Sequence, residues 1–166
     1  MTPPIPDAEA LLASLAERMR GAVAYEAAFV GIYSGGAWLA ERLPALVPGN
    51  HPVGFIDVSF YRDDYATAGL KGGTRRTSLP FNVDGATIVL VDDVLYTGRS
   101  VRAAINELFD FGRPARIELA VLVDRGGREL PVEPTYCGAR LTVAQDLSIV
   151  LSRDDGGRLS LGVQGP

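Results

Sequence analysis

The chain has 166 residues, a formal net charge of −4, 47% hydrophobic and 22% charged residues, a composition typical of one folded domain. With one cysteine and one histidine, Cys137 and His51, it excludes an internal disulfide framework and a zinc site built from Cys and His. No apolar run approaches the roughly 18 residues of a membrane span, and the first residues lack the basic and apolar regions of a secretory signal. We therefore expect a single cytoplasmic domain, residues 1–166, without a membrane partner.

The first third of the sequence predicts two helices and two strands. Asp7 is a suitable helix cap, and apolar residues follow it at helical spacing, at Leu11, Leu12, Leu15, Met19 and Val23. The apolar run 27–32 predicts a buried strand, and a glycine-rich turn leads from it into a helix over 37–43 that ends near Pro44. A second strand is expected over 53–61, and His51 in the loop before it is expected at the surface.

Residues 62–80 form a long connection that is rich in glycine and basic residues and has little apolar patterning. A connection of this length inside a compact domain is typical of a lid or a binding loop. We therefore predict a flexible lid here, whose candidate functional residues are Arg62, Asp63, Asp64, Arg75 and Arg76, with Lys71 as a further cation.

The second half continues the alternation of strands and helices. We expect a strand over 87–91, a turn over 92–99, a helix over 100–111 that ends at Gly112, and a strand over 117–123. This order predicts an α/β fold, a twisted and mainly parallel sheet flanked by helices.

The last part of the chain changes character. Two short apolar segments, 148–151 and 159–163, flank Asp154-Asp155-Gly156-Gly157, a pattern that predicts a hairpin. We expect residues 124–166 to form a small hood and the C-terminal strands.

The turn after the third strand carries the most informative chemistry. Asp92 and Asp93 stand at the end of a buried strand, where open α/β sheets bind ligands. Thr97, Gly98 and Ser100 follow at the start of a helix, where free backbone N–H groups and the helix dipole favour an anion. Because carboxylates accept hydrogen bonds from vicinal hydroxyls or hold the waters of Mg²⁺, the turn suits a 5-phosphorylated ribose. Neither a P-loop nor a dinucleotide-binding glycine pattern is present.

This turn, within residues 89–100, resembles the 5-phosphoribosyl-1-pyrophosphate (PRPP) motif of the type I phosphoribosyltransferases. Segments 57–64, 79–81, 112–116 and 119–131 are similar to one branch, the PyrR family of bifunctional pyrimidine-operon regulators and uracil phosphoribosyltransferases. The resemblance spans roughly residues 7–163. It implies the type I phosphoribosyltransferase fold, PRPP and uracil as substrates, Mg²⁺ as cofactor, UMP and UTP as ligands, and a homodimer or higher homo-oligomer.

The resemblance also implies a PRPP site. Asp92 and Asp93 would hold the ribose hydroxyls and, through water, Mg²⁺. Many relatives carry arginine at the third position of the pyrophosphate loop, where this chain has Gly36, and the lid cations would compensate for its absence. The PRPP-binding residues are expected to be Ser34, Gly35, Gly36, Asp92, Asp93, Val94, Leu95, Tyr96, Thr97, Gly98, Arg99 and Ser100.

At the base end, the resemblance implies a site made by Asp124, Arg125, Tyr136 and Cys137. Tyr136 is expected in the hood, with its ring stacked on uracil. Asp124 is a candidate catalytic residue together with Asp92 and Asp93, and assistance in removing the proton from uracil N1 is left open for it.

Two other function classes stand beside the enzyme. The first is a uridine-nucleotide-sensing regulator that binds the leader mRNA of a pyrimidine operon, which needs basic side chains facing RNA phosphates. Its candidate residues are Arg18, Arg20, Arg140, Arg153 and Arg158. The second is a phosphoribosyltransferase for another base, such as orotate or a purine. We rank the uracil enzyme above the RNA-binding protein.

Overall fold

The computed structural model describes residues 4–59 and 76–166. Five parallel strands form one sheet in the order β2-β1-β3-β4-β5, and two further strands form an antiparallel hairpin, β6-β7. The predicted α/β fold with a mainly parallel sheet is thereby confirmed. The elements in chain order are α1 (Ala8–Met19), β1 (Ala28–Ile32), α2 (Gly35–Arg42), a 3-10 turn (Leu43–Ala45), β2 (Val53–Ile56), β3 (Thr87–Leu95), α3 (Arg99–Phe111), β4 (Arg116–Asp124), β5 (Tyr136–Arg140), β6 (Ser148–Arg153) and β7 (Leu159–Gln164).

The core has two layers, one on each face of the sheet. Apolar side chains of α1, α2 and the hairpin pack on one face, among them Leu15, Leu39 and Leu151. Side chains of α3, among them Val101 and Leu108, pack on the other. Each fully buried aliphatic side chain contributes about 1.5–3 kcal/mol to folding, and the covered faces leave the strand ends as the open side of the sheet.

Helix α1 forms as its apolar spacing predicts, and it anchors the hairpin. The carboxylate of Asp7 accepts the N–H of Ala10 at 3.1 Å and caps the helix. The carboxylate of Glu9 accepts two hydrogen bonds from Arg42 of α2, at 2.7 and 3.2 Å, and one from the N–H of Leu159 at 2.9 Å. One side chain of α1 therefore joins α2 and β7. Helix α1 ends at Met19, so Val23 packs against the core from beyond the helix rather than from within it.

Two strand boundaries differ from those predicted. Strand β2 ends at Ile56 instead of reaching residue 61. Strand β3 extends to Leu95, because Asp92, Val94 and Leu95 still find parallel partners along β4. The two aspartates therefore belong to a strand and not to the turn expected over 92–99, which gives them a more fixed position.

The predicted hood is also revised. Tyr136–Arg140 is the edge strand β5 of the main sheet, paired with β4, so residues 124–166 do not form one separate unit. Strand β5 was missed because its sequence, Tyr-Cys-Gly-Ala-Arg, has neither a continuous apolar run nor strict alternation, and its position depends on pairing with β4.

His51 is buried and not at the surface as expected. Its ring stacks on that of Phe29, with centroids 4.3 Å apart. Its Nδ1 lies 2.7 Å from the carbonyl oxygen of Ala27, and its Nε2 lies 3.1 Å from that of Pro48. The histidine thus fills the space between β1 and the loop before β2.

Of the predicted lid, residues 62–75 lie outside the described residues, and with them Arg62, Asp63, Asp64, Lys71 and Arg75. Arg76 is exposed. Ser78 forms an antiparallel bridge to Phe55 of β2 through two backbone hydrogen bonds of 2.8 Å, which fixes this end of the connection to the sheet. Among residues 4–59 and 76–166, no helix is both long enough and apolar enough to cross a membrane.

Candidate active site

The carboxyl ends of β1, β3 and β4 bring three connections to one edge of the sheet. The first leads from β1 into α2 through Ser34, the second from β3 into α3 through residues 96–98, and the third leaves β4 at Asp124. Because the strands are parallel and adjacent, these connections lie side by side. This is the edge at which open α/β sheets bind ligands.

Asp92 and Asp93 occupy the end of the central strand of the five. Asp92 is 8% exposed, and its Oδ1 accepts the N–H of Asp93 at 2.9 Å. The Oδ1 of Asp93 accepts the N–H of Val94 at 2.7 Å. Each carboxylate is thus oriented by a backbone donor next to it. The aliphatic neighbours Val94 and Leu95 pack into the core, one against each layer, so their side chains support the strand.

Helix α2 begins directly in the glycine-rich turn. Ser34 is its first flanking residue, the Tyr33–Ser34 peptide is cis, and Gly35 and Gly36 form the first turn. A β-carbon at Gly35 would collide with the carboxylate of Asp93, and one at Gly36 would collide with the backbone oxygen of Val91. The two glycines therefore let the helix start press closely against β3.

Glycine at position 36 allows α2 to lie close to β3. The obstacle to a side chain there is main-chain oxygen, which cannot turn aside as a side chain does, so a larger residue would require α2 to move away from β3. The side chain that limits position 35 belongs to Asp93 itself.

The segment between β3 and α3 has the geometry of an anion site. Gly98 caps α3 with φ of 95° and makes no side-chain cap, so the N–H groups of the first turn other than that of Arg99 are suited to an anion. The Oγ1 of Thr97 accepts the N–H of Arg99 at 3.2 Å, and Ser100 lies partly exposed in the first turn. The side chain of Arg99 turns outward to Glu129, with Nε 3.0 Å from Oε1, so at this position only the main chain faces the loop.

Asp124, at the end of β4, is almost completely enclosed by donors. Its Oδ2 accepts hydrogen bonds from Arg128 at 2.7 Å and from Arg140 at 2.8 Å, and its Oδ1 accepts the N–H of Gly126 at 2.9 Å. Burial raises the pKa of Asp124, but the hydrogen bonds and charges of these neighbours outweigh it and hold the pKa below its usual value. A carboxylate with this environment is a poor proton acceptor, which argues against a role in removing the proton from uracil N1.

Arg125 connects the end of β4 with two other segments. Its guanidinium carbon lies 4.0 Å from the centre of the Tyr96 ring. Its terminal nitrogens donate to the carbonyl oxygens of Leu147 at 2.6 Å and Ala144 at 3.2 Å. The residue is 8% exposed, so it forms a fixed link between Tyr96, in the connection from β3 to α3, and the segment that precedes β6.

Arg128 was not among the predicted site residues. It reaches Asp124, the carbonyl oxygen of Tyr96 at 2.9 Å and that of Val132 at 2.7 Å. Two consecutive glycines with positive φ, Gly126 (74°) and Gly127 (82°), turn the chain back toward the loop after β4. This glycine pair, directly after a strand that ends in a carboxylate, is the sequence signal that could have drawn attention to the arginine.

Tyr136 and Cys137 do not lie at this edge of the sheet. Tyr136 pairs with Ala120, four residues before Asp124, which at about 3.3 Å per residue places it roughly 13 Å back along the sheet. Its ring belongs to the core, and its hydroxyl donates to Glu118 at 3.1 Å. Burial first, and then the charge of Glu118, raises the pKa of Tyr136 to about 12. The position of the Tyr136 ring therefore argues against stacking on a base at the ends of β4 and β5. Cys137 pairs with Val121, one position nearer that edge, and its thiol donates to the carbonyl oxygen of Ala139 at 3.2 Å. Burial, and then the nearby charge of Asp124, raises the pKa of Cys137.

An open cavity of about 300 Å³ lies beyond the ends of β4 and β5. Asp124, Arg125 and Arg140 contribute to its wall, together with Leu141 and Thr142. Of the four predicted base-binding residues, the structure thus places two at the cavity, Asp124 and Arg125.

The acidic groups of the site do not by themselves make a complete metal cage. Within residues 4–59 and 76–166 no group of three or more His, Cys, Asp or Glu side chains could hold a metal ion. Asp92 and Asp93 provide two carboxylates. This donor set fits Mg²⁺ whose other ligands are water molecules and substrate oxygens.

Comparison with known proteins agrees with this geometry. The family model of the phosphoribosyl transferase domain matches residues 4–141. A protein of Ralstonia nicotianae named Bifunctional protein PyrR is 54% identical over 155 residues, which cover 91% of this chain and 88% of that protein. The protein of the same name from Pseudomonas fluorescens is 42% identical over 152 residues, covering 89% and 90%.

Solved structures show the same fold. The hypoxanthine phosphoribosyltransferase of Trypanosoma cruzi superposes with a TM-score of 0.66 at 18% identity, covering 99% of this chain and 98% of that one. A purine phosphoribosyltransferase from Pyrococcus horikoshii superposes with a TM-score of 0.60 at 27% identity, covering 80% and 81%. Its sequence and its fold together assign the chain to the phosphoribosyl transferase family, in the branch of the bifunctional PyrR proteins.

Proposed function

We propose that this protein transfers the phosphoribosyl group of PRPP to uracil, forming UMP and pyrophosphate. The observation that carries the proposal is the continuity of Asp92 and Asp93 with the open helix start at Gly98. Carboxylates accept hydrogen bonds from ribose hydroxyls, and free N–H groups at a helix start bind a phosphate monoester. PRPP carries both groups on one sugar.

In the reaction, the bond between ribose C1 and pyrophosphate breaks, and C1 forms a bond with N1 of uracil, which loses its proton. Positive charge develops on the ribose ring as pyrophosphate leaves. Asp92 and Asp93 are the negative groups placed to stabilise that charge, as oriented dipoles and charges do in other enzymes. Since the oxygens of Asp124 are already bound by donors, we assign the N1 proton to the departing pyrophosphate rather than to Asp124.

Mg²⁺ is proposed as the cofactor, held through water by Asp92 and Asp93. When bound, it neutralises charge on the departing pyrophosphate. The Gly35–Gly36 turn lies beside Asp93, where the backbone N–H groups at the start of α2 are suited to the same anion.

The decisive experiment measures conversion of radiolabelled uracil into UMP with PRPP and Mg²⁺, alongside orotate, hypoxanthine and guanine. We expect turnover with uracil, and a fall of at least roughly tenfold in kcat for Asp92→Asn and Asp93→Asn, since each removes one negative charge from the ribose site. Turnover with a purine or orotate but not with uracil would assign a different base. Equal rates in the wild type and both variants would contradict the roles given to the aspartates.

A regulatory function as an RNA-binding protein is proposed beside the enzyme, with UMP or UTP as effector and a pyrimidine-operon leader mRNA as partner. Four of the five candidate arginines are in ion pairs, Arg20 with Glu17, Arg153 with Glu41, Arg158 with Asp7 and Arg140 with Asp124. Arg18 and the largely exposed Arg140 line one groove of about 450 Å³ along the edge strand β5. Two cations along one groove favour contact with a phosphate backbone.

This second function is tested by a gel shift on leader RNA at several salt concentrations, with and without UMP. We expect UMP to strengthen binding and Arg18→Glu to weaken it while turnover with uracil continues. Binding that neither responds to UMP nor weakens with salt would contradict the regulatory proposal.

A homodimer or higher homo-oligomer in the cytoplasm completes the proposal. Phe109 and Phe111, at the end of α3, are 49% and 52% exposed, and such aromatic side chains are enriched in interfaces between subunits. Sedimentation of the wild type and of Phe109→Asp tests it: the wild type should be oligomeric and the variant smaller, and a monomeric wild type would contradict the proposal.

A further inference from the structure

Arg128 binds three acceptors from three different parts of the site. Its Nη2 donates to Asp124 at 2.7 Å, its Nη1 to the carbonyl oxygen of Tyr96 at 2.9 Å, and its Nε to that of Val132 at 2.7 Å. The side chain is only 17% exposed. Because the guanidinium is planar and its donors are fixed relative to one another, these three acceptors are held in one geometry.

The contact with Tyr96 orients residues 96–98, the connection proposed to bind the 5′-phosphate and called the phosphate loop below. The carbonyl of Tyr96 and the N–H of Thr97 belong to the same planar trans peptide, in which they point in opposite directions. When Arg128 holds the carbonyl on the outer side, the N–H of Thr97 is turned toward the inner side of the loop. The orientation of a phosphate donor is thus set by a side chain that does not itself enter the loop.

The next peptide of the loop is fixed from the same segment. The carbonyl oxygen of Thr97 accepts the N–H groups of Glu129 at 2.9 Å and Leu130 at 3.1 Å. By the same geometry, the N–H of Gly98 then points inward. Residues 128–130 therefore orient two consecutive loop donors.

We propose that Arg128 is a positioning residue for PRPP, which aims the N–H of Thr97 at the 5′-phosphate and ties the loop to Asp124 at the base end. This inference rests on the function proposed above. It gives Arg128 a role distinct from that of Arg140, which donates to the same Oδ2 of Asp124 but is 68% exposed and has no contact with Tyr96 among the described residues.

Arg140 therefore provides a matched comparison. Arg128→Gln and Arg140→Gln each remove one ion pair of Asp124, but only the first also releases the carbonyl of Tyr96. It further removes the hydrogen bond to Val132 and the 3.7 Å ion pair with Glu133, neither of which belongs to residues 96–98. Arg116→Gln serves as a neutral control, because Arg116 lies at the opposite end of β4 and pairs with Glu118 at 3.0 Å.

The first readout is steady-state kinetics with PRPP and uracil varied separately. We expect Arg128→Gln to raise the KM for PRPP about tenfold or more, the size expected for losing a charge-assisted hydrogen bond, with a smaller change in the KM for uracil. Arg140→Gln should raise the KM for PRPP much less. Arg128→Lys, which can reach one acceptor at a time, should lie between the wild type and Arg128→Gln.

The second readout does not depend on turnover. Ribose 5-phosphate is titrated into ¹⁵N-labelled wild type and Arg128→Lys, and the amide resonance of Thr97 is followed. We expect this resonance to shift strongly in the wild type, and ribose 5-phosphate to bind several-fold more weakly to the variant. Melting temperatures identify any variant that fails to fold, for which Arg128→Lys replaces Arg128→Gln.

The outcomes separate the two claims. If the wild type binds ribose 5-phosphate but makes no UMP, the proposed reaction is wrong, and Arg128 is still judged by the titration. An unshifted Thr97 resonance in the wild type would overturn the inference. Equal effects of Arg128→Gln and Arg140→Gln on the KM for PRPP would overturn it as well.

Discussion

The carboxylate of Asp93 fills the space beside Gly35 that a side chain at position 35 would need. The same carboxylate is held on its other oxygen by the N–H of Val94, so it has little freedom to move aside. This close approach joins the Gly35–Gly36 turn to the acidic pair, and it makes the two glycines sensitive to substitution for different reasons.

Gly35→Ala is expected to reduce activity more than stability. Its β-carbon would push the carboxylate of Asp93 away from the N–H of Val94, and we expect the KM for PRPP to rise by roughly tenfold while the free energy of unfolding falls by about 1 kcal/mol. Steady-state kinetics and urea denaturation measure both. Gly162→Ala is the control, since nothing lies within 4 Å of the β-carbon it would add. An unchanged KM for Gly35→Ala would contradict the prediction.

Gly36→Ala is expected to act on the fold itself. Here the obstacle is the backbone oxygen of Val91, so α2 must move away from β3. Overpacking of this kind costs about 1–3 kcal/mol, and we expect the urea midpoint to fall accordingly. Stability equal to that of the wild type would show that the helix can shift freely over the strand.

Glu9→Gln should lower stability in a pH-dependent way. The hydrogen bond from Arg42, followed by that from Leu159, lowers the pKa of Glu9 to about 2. A carboxylate whose pKa is lower in the folded state contributes stability that is complete above its unfolded pKa of about 4.3 and is lost as the pH falls toward its folded pKa. The difference in unfolding free energy between wild type and variant, about 1 kcal/mol at pH 7, should therefore shrink below pH 4.5.

The matched control for this experiment is Glu17→Gln. Glu17 pairs with Arg20 at 3.5 Å, and both side chains are largely exposed, so its removal should change stability by little at any pH. A pH-independent effect of Glu9→Gln, or an equal effect of both variants, would show that the Arg42 pair does not stabilise the junction of α1 and α2.

Tyr136→Phe tests whether the Tyr136 ring lies in the core and does not contact uracil. Losing the hydrogen bond to Glu118 should lower the free energy of unfolding by about 1 kcal/mol and leave the KM for uracil unchanged. In an ultraviolet titration, the tyrosine with a pKa of about 12 should be missing from the variant. A large increase in the KM for uracil would return Tyr136 to the base site.

Local patterns predicted most of the central elements. The runs at 27–32 and 117–123 correspond to β1 and β4, whose side chains are buried on both faces of the sheet. A strand buried on both faces needs a continuous apolar run, and such a run is visible in the sequence itself. Asp92 and Asp93 were identified by residue type and by their position after such a run. Their place within the strand was not predictable, because it depends on pairing with β4.

Features that depend on distant contacts could not be read from the sequence. His51 is buried because β1 offers it the Phe29 ring and Gly49, with φ of 144°, turns the chain beside it. Tyr136 was expected at the base because its segment resembles the one in which relatives stack an aromatic ring on the base, whereas its register against Ala120 places it in the core. Arg128 was not predicted because it meets its partners Asp124, Tyr96 and Val132 only where the chain turns back after β4 at Gly126 and Gly127.

Arg125 connects the C-terminal part of the chain with Tyr96, next to the proposed PRPP site. It rests on the ring of Tyr96 while it binds the carbonyls of Ala144 and Leu147, just before the hairpin that Glu9 fastens to α1. A truncated protein that ends before Ala144 would lack those two carbonyls and leave the buried guanidinium of Arg125 without acceptors from this segment. Because an unpaired buried charge is unfavourable, Arg125 would then move and its contact with Tyr96 would be lost. The C-terminal segment thus supports the proposed site from a distance, and its removal should lower kcat although it contributes no residue that contacts a substrate.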